Sequence, residues 1–142
     1  MAEDEAALLA EGWEPLPTVR YSAAVGPTYM KGAPGKRTVL LLTDERVAND
    51  HMGNVHGGAL MTFADIALGV AASDAVGGPR IATAQMQFQF VAGSKAGVRI
   101  TCEPEIVRQT RQLIFTRGLF KVDDHVIGSA DAIFKVFPKL EG

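Results

Sequence analysis

From Gly58 to about Ser73 the chain is apolar at nearly every position: Ala59, Leu60, Met61, Phe63, Ala64, Ile66, Ala67, Leu68, Val70, Ala71 and Ala72. Alanine and leucine are strong helix formers, and Gly77-Gly78-Pro79 supplies a stop, so the stretch is predicted as a helix. A helix without a polar face must be wrapped on all sides. The core of this run, Ala59 to Ala72, is interrupted by Thr62 and Asp65 and falls short of the roughly 20 residues needed to cross a bilayer. The rest of the chain is therefore expected to wrap most of the helix, though not all of it.

That rest reads as strands. Past the stop, Ala84, Met86, Phe88 and Phe90 alternate with Thr83, Gln85, Gln87 and Gln89, the period of a strand with one face in the core. Three more strands are predicted over Val98 to Arg108, Gln112 to Val122 and Val126 to Phe137. Their joints lie at Gly93 to Gly97, Thr110 and Asp123-Asp124. Pro104 implies an edge or a bulge. Ahead of the helix, Thr18 to Met30 and Lys36 to Thr43 read as a hairpin turning at Gly32-Ala33-Pro34-Gly35, and residues 3–11 read as a short leading helix. The order predicts an α+β domain over residues 1–142, with five to six antiparallel strands curled around one buried helix.

At 142 residues there is room for one core, and 47% hydrophobic with 21% charged residues suits a globular chain. Fourteen basic residues against sixteen acidic ones, with no basic stripe, point away from nucleic acid. A single cysteine, Cys102, excludes an intrachain disulfide and a cysteine metal site, and an acidic start without a targeting pattern suggests the cytoplasm. The polar, uncharged glutamine face suits contact with another protein surface, so a homo-oligomer is expected.

The chemistry concentrates in Asp50-His51-Met52-Gly53-Asn54-Val55-His56-Gly57-Gly58 and in Asp65. Gly57 and Gly58 stand at a helix entry, where backbone N–H groups lack internal partners and no Cβ blocks a ligand carbonyl. A carboxylate in an apolar helix is costly, and partial loss of water makes it a better base. A polarised carbonyl beside a base describes acyl transfer to water. Plainer readings stand beside these: Asp65 as a structural carboxylate, Gly57-Gly58 as an ordinary tight turn, and Asp50 and His51 as solvated loop residues. His56 reads as an orienting hydrogen-bonding group; with only His51 and His125 to join it, no metal site is expected.

Gly53-Asn54-Val55-His56-Gly57-Gly58-Ala59, followed by Phe63-Ala64-Asp65, resembles the signature of the phenylacetate-pathway (PaaI-like) hot-dog acyl-CoA thioesterases. Thr83 to Phe90 with the following Gly97 is similar to that family's next strand, and the likeness spans about Lys36 to Phe137. The resemblance implies a hot-dog fold and hydrolysis of an aryl- or medium-chain acyl-CoA, with coenzyme A as part of the substrate and no separate cofactor. Asp65 would be the general base or nucleophile, Gly58 with Gly57 the N–H donors, and His56 the residue shaping their turn. Thr83, Asn54 and Phe63 would line the substrate. The loop and the helix Asp would meet across a dimer interface, in a dimer or a dimer of dimers.

Two positions depart from the family pattern. Asp50 stands where the family usually has Asn, with Asn49 just before it, and Thr110 stands where Gly is common. If Asp50 faces the site, two carboxylates share it; a shift by one residue would bring in Asn49 instead. Two other functions fit the same residues. One is a 3-hydroxyacyl thioester dehydratase or hydratase pairing His51 or His56 with Asp65; the other is an acyl-CoA-binding module without turnover.

Overall fold

The computed structural model describes residues 2–139, so residue 1 and residues 140–142 of the expected domain lie outside it. The elements run α1 (Ala2–Ala10), β1 (Glu14–Leu16), β2 (Thr28–Lys31), β3 (Thr38–Leu42), α2 (Gly57–Val76), β4 (Ile81–Phe90), β5 (Arg99–Cys102), β6 (Glu105–Gln109), β7 (Leu113–Val122) and β8 (His125–Val136). One antiparallel sheet carries all eight strands in the order β1-β2-β3-β5-β7-β8-β4, with β6 pairing off this path to β7. A long helix lies against this sheet, which is the arrangement the hot-dog resemblance implies.

The strand count exceeds the expected five to six for two local reasons. Pro104 has no N–H to give a ladder, and the predicted strand Val98 to Arg108 divides there into β5 and β6. Glu14–Leu16 adds a short edge strand paired to β2. The predicted strand Thr18 to Met30 is also shorter than expected. Residues Arg20–Val25 form a 3-10 turn closed by Gly26 at φ 125°, and extended pairing begins only at Thr28. A side chain at Gly26 would put its Cβ 2.7 Å from the Leu42 carbonyl oxygen, so only glycine lets the two segments approach.

β3 explains its own continuous apolar run, because it is buried on both faces. Val39 and Leu41 join the main core with α2, while Leu40 and Leu42 pack with Leu8 of α1 and Tyr29 on the other side of the sheet. Cys102 sits in the main core at 1% exposure, and burial pushes its thiol pKa up to about 12, which makes it an inert packing group.

α2 is three residues longer at its C-terminus than expected, ending at Gly77 in the left-handed conformation with φ 74°. At 20 residues and mean hydropathy 1.5 it has the length and composition of a membrane span, so length alone does not exclude one. Its apolar face, however, is committed to the sheet: Ala59, Leu60, Phe63, Ala64, Ala67, Leu68, Ala71 and Ala72 recur at helical spacing and are buried. The sheet covers most of the helix and not all of it, as expected of so few strands. Met61, Asp65, Ile66, Gly69 and Ser73, at steps of three and four residues, form a stripe that the chain's own sheet leaves partly open.

Candidate functional site

The loop before α2 is fastened to its surroundings by main-chain bonds. Ala48 bridges Val55 and Asn54 bridges Lys95, while the Val55 N–H donates to Ser94 O at 2.8 Å and the His56 N–H to Val47 O at 2.7 Å. Within the loop the Asn49 carboxamide oxygen accepts the Met52 N–H at 2.9 Å, and the Asn49 N–H donates to Asn54 O at 2.6 Å. Asn49 is thus an internal strut, as short amide side chains commonly are in turns. Asp50 and His51 are exposed. Asn54 is half-buried with its amide against Gly93, where a Cβ would stand 2.8 Å from Nδ2.

His56 is the N-cap of α2, with extended backbone (φ −62°, ψ 137°), and its Nδ1 accepts the Gly58 N–H at 2.8 Å. That bond satisfies one of the donors that a helix leaves free at its start. It also divides the two glycines that sequence reasoning had paired. The Gly58 N–H is taken, whereas the Gly57 N–H has no acceptor among the described residues. Gly57 lines a cleft of about 290 Å³ together with Asn49, Asn54, Leu60 and Phe90. A Cβ on Gly57 would stand 3.1 Å from the Phe90 ring, so the bare backbone leaves space under that ring. Replacing His56 by Ala is expected to cost about 1 kcal/mol of stability through the lost cap. Thermal melting checks this, and a larger loss would assign His56 packing duties beyond the cap.

Asp65 lies half-exposed on the open stripe of α2, and its Oδ1 accepts a 2.5 Å hydrogen bond from the Thr83 hydroxyl. This contact depends on a β-bulge. The β4–β8 register shifts between Thr83 and Gln85, with Thr83 opposite Phe134 and Met86 opposite Ala132. Phe134 and Ala132 are both buried, so Thr83 and Met86 face the helix together, and the extra residue, Ala84, absorbs the change of phase. The strict alternation that placed Thr83 beside the glutamines is corrected at this point. A signal was present in the sequence: Ile81 is apolar in one phase, while Met86, Phe88 and Phe90 are apolar in the other.

Phe63 is corrected as well. It is fully buried in the core, edge-on to Phe120 with ring centroids 5.6 Å apart, and presents no surface to a substrate. Sequence reasoning missed Phe90, which it assigned to the core face: 57% exposed, it overhangs Gly57. No cluster of three or more His, Cys, Asp or Glu side chains suited to a metal ion occurs among the described residues.

Two groups of atoms therefore stand ready in one chain, and the helix keeps them apart. Gly57 and Asp65 are eight residues apart on α2, about 12 Å at 1.5 Å per residue. A carbonyl resting on the Gly57 N–H thus lies more than two turns along the helix axis from Asp65 of the same chain.

The fold recurs in solved structures. The chain is similar to a mutant of the phenylacetic acid degradation protein PaaI from Thermus thermophilus (19% identity, 82% of this chain and 98% of that one, TM-score 0.72). It is also similar to the PaaI protein from the phenylacetic acid degradation operon of E. coli (16% identity, 97% and 88%, TM-score 0.67) and to a conserved protein from Pseudomonas aeruginosa (18% identity, 93% and 94%, TM-score 0.67). No curated protein sequence matches the chain. The family model of the thioesterase superfamily matches residues 52–128, more than half of the chain, taking in the helix entry, Asp65 and Thr83, and the chain belongs to that superfamily.

Proposed function

We propose that the protein is an acyl-CoA thioesterase that works as a dimer, each site combining Asp65 of one subunit with the loop and helix entry of the other. The observation that carries this reading is the Asp65 carboxylate, held by the Thr83 hydroxyl on the open stripe of an otherwise buried helix in a thioesterase-superfamily chain. In the simplest scheme the thioester carbonyl accepts the Gly57 N–H and Asp65 takes a proton from water. The water oxygen bonds to the carbonyl carbon, the C–S bond breaks, and the proton passes to the departing sulfur. The products are a carboxylic acid and coenzyme A. Attack by the Asp65 carboxylate itself, followed by hydrolysis of the anhydride, reaches the same products.

Several features support pairing of two copies. β4 is a ten-residue edge strand with no neighbour on one side among the described residues, an open hydrogen-bonding edge of the kind that recruits another strand. In a two-fold dimer that brings Gly57 to the partner's Asp65, residue 61, midway between them, lies near the axis. Met61, 39% exposed, supplies apolar surface there. Asn49 lines the Gly57 cleft that the other subunit's Asp65 would meet, and Asp50 beside it is exposed.

The test is a pair of inactive variants. Asp65→Asn and Gly57→Val are each expected to fail to release thiol from acyl-CoA. Unfolded and refolded together at equal amounts, they should recover about a quarter of wild-type activity. Random pairing makes half the dimers mixed, and each mixed dimer has one intact site of two. A mixture as inactive as its components would refute the shared site.

A further inference from the structure

The turn at residues 50–53, ahead of α2, is pinned from two sides. The Met52 N–H donates to the Asn49 carboxamide oxygen at 2.9 Å, Lys95 Nζ donates to Met52 O, and the Ala96 N–H donates to Gly53 O at 3.0 Å. On this fixed backbone the Met52 side chain stands 64% exposed, a large apolar group in water. Beside the second half of α2 lies a groove of about 450 Å³, between the helix and the segment around Pro17 to Ser22. Ile66, Val70, Met30 and Val19 give it apolar walls, and Val19 is itself 73% exposed. The helix holds knob and groove apart within one chain: Val70 lies thirteen residues past Gly57, about 20 Å along the axis, and Met52 precedes Gly57. An exposed apolar knob and an exposed apolar groove on one chain are the two halves of an isologous contact, which a two-fold axis makes twice.

We propose that the groove receives Met52 of the partner subunit, and that this contact sets the register of the two subunits at the shared site. The proposal rests on the thioesterase dimer read above and adds the side chain that locks it. With residue 61 near the axis and Gly57 meeting the partner's Asp65, the two α2 helices run antiparallel, so the loop entering one helix lies against the second half of the other. Residue 52, nine before the axis, falls opposite residue 70, nine beyond it, and Val70 belongs to the groove wall. Methionine suits such a socket, because an unbranched thioether adapts to an irregular apolar space. Each methionine buried there strengthens association by about tenfold to a hundredfold, and a dimer buries two. Asn49, which braces the same turn, lines the Gly57 cleft, so seating Met52 also sets where that cleft meets Asp65.

Cross-linking tests the contact directly. Cys102 is buried and inert, so a pair of introduced cysteines can be read alone. Mild oxidation of Met52→Cys/Val70→Cys is expected to join two chains, seen as a dimer on a non-reducing gel, since a disulfide needs Cα atoms within about 7 Å. Neither single variant should cross-link, because the axis sets the two copies of residue 70 about 27 Å apart along the helices and the two copies of residue 52 comparably far. Without any oxidation, Met52→Ala should weaken dimerisation roughly a hundredfold in sedimentation over a dilution series, while Met52→Leu, of similar volume, retains it. Thiol release from acyl-CoA by the same samples should fall as the dimer dissociates. A double variant that stays unlinked beside a wild-type dimer would overturn the proposal, and so would cross-linking of either single variant. A Met52→Ala dimer as tight as the wild type would overturn it as well. Cross-linking in the double variant with no thiol release by the wild type would uphold the contact and overturn the hydrolase reading; thiol release by a wild-type dimer whose double variant stays unlinked would do the reverse.

Discussion

Replacing Asp65 by Asn is expected to lower kcat for thioester hydrolysis about a thousandfold, in the range general-base catalysis supplies, with little change in melting temperature. The substitution removes the proton acceptor and keeps the shape, and the Asn oxygen can still accept the Thr83 hydroxyl that Asp65 accepts now. Asp65 is half-exposed, so no core contact is lost with its charge. Steady-state kinetics beside thermal melting separate the two readings of this residue. A carboxylate that serves structure would lower the melting temperature and leave kcat per folded molecule unchanged. Thr83 acts through Asp65 as a positioning residue. Thr83→Ala should therefore reduce kcat more than it raises KM, and Thr83→Ser, which retains the hydroxyl, should restore it.

The second large effect falls on stability. Phe63→Ala is expected to destabilise the fold by about 3–5 kcal/mol, the usual consequence of emptying an aromatic site in a packed core. For a domain of this size that lowers the melting temperature by about 10–17 °C. Phe63 has 0% exposure, and the Phe120 ring it meets edge-on is also fully buried, so neighbouring side chains can collapse only partly into the space. Chemical denaturation measures the loss directly. A variant that melts like the wild type but discriminates less among acyl groups would return Phe63 to the substrate wall.

The two residues stand two positions apart in the same apolar run, and sequence reasoning treated both as parts of the site. The helical period separates them. Phe63 shares the buried face with Ala59, Ala67 and Leu68, while Asp65 falls on the opposite stripe. When nearly every position is apolar, composition carries little information about facing. The polar Thr62 and Asp65 alone hinted at where the open side lies. The glycines show the same limit. Gly57 and Gly58 were equivalent as letters, yet the His56 cap claims the N–H of one and leaves the other free.

What the sequence determined by itself was the class of the fold and the order of its parts. A 20-residue apolar helix has no solution in water except burial, and short antiparallel strands with turn residues between them were the only material to bury it. The glycine-rich entry and the lone carboxylate were legible too, because they are local departures from an apolar background. What only the tertiary structure decided was which atoms meet. A single bulge at Ala84 reverses the phase of β4 and turns Thr83 from the glutamine face onto Asp65. A β-strand's side chains alternate with a period of two, so one inserted residue exchanges its faces, and the insertion is set by pairing with β8. The carboxylate that stands out in the sequence is thus held in place by a contact that strict alternation would have denied it.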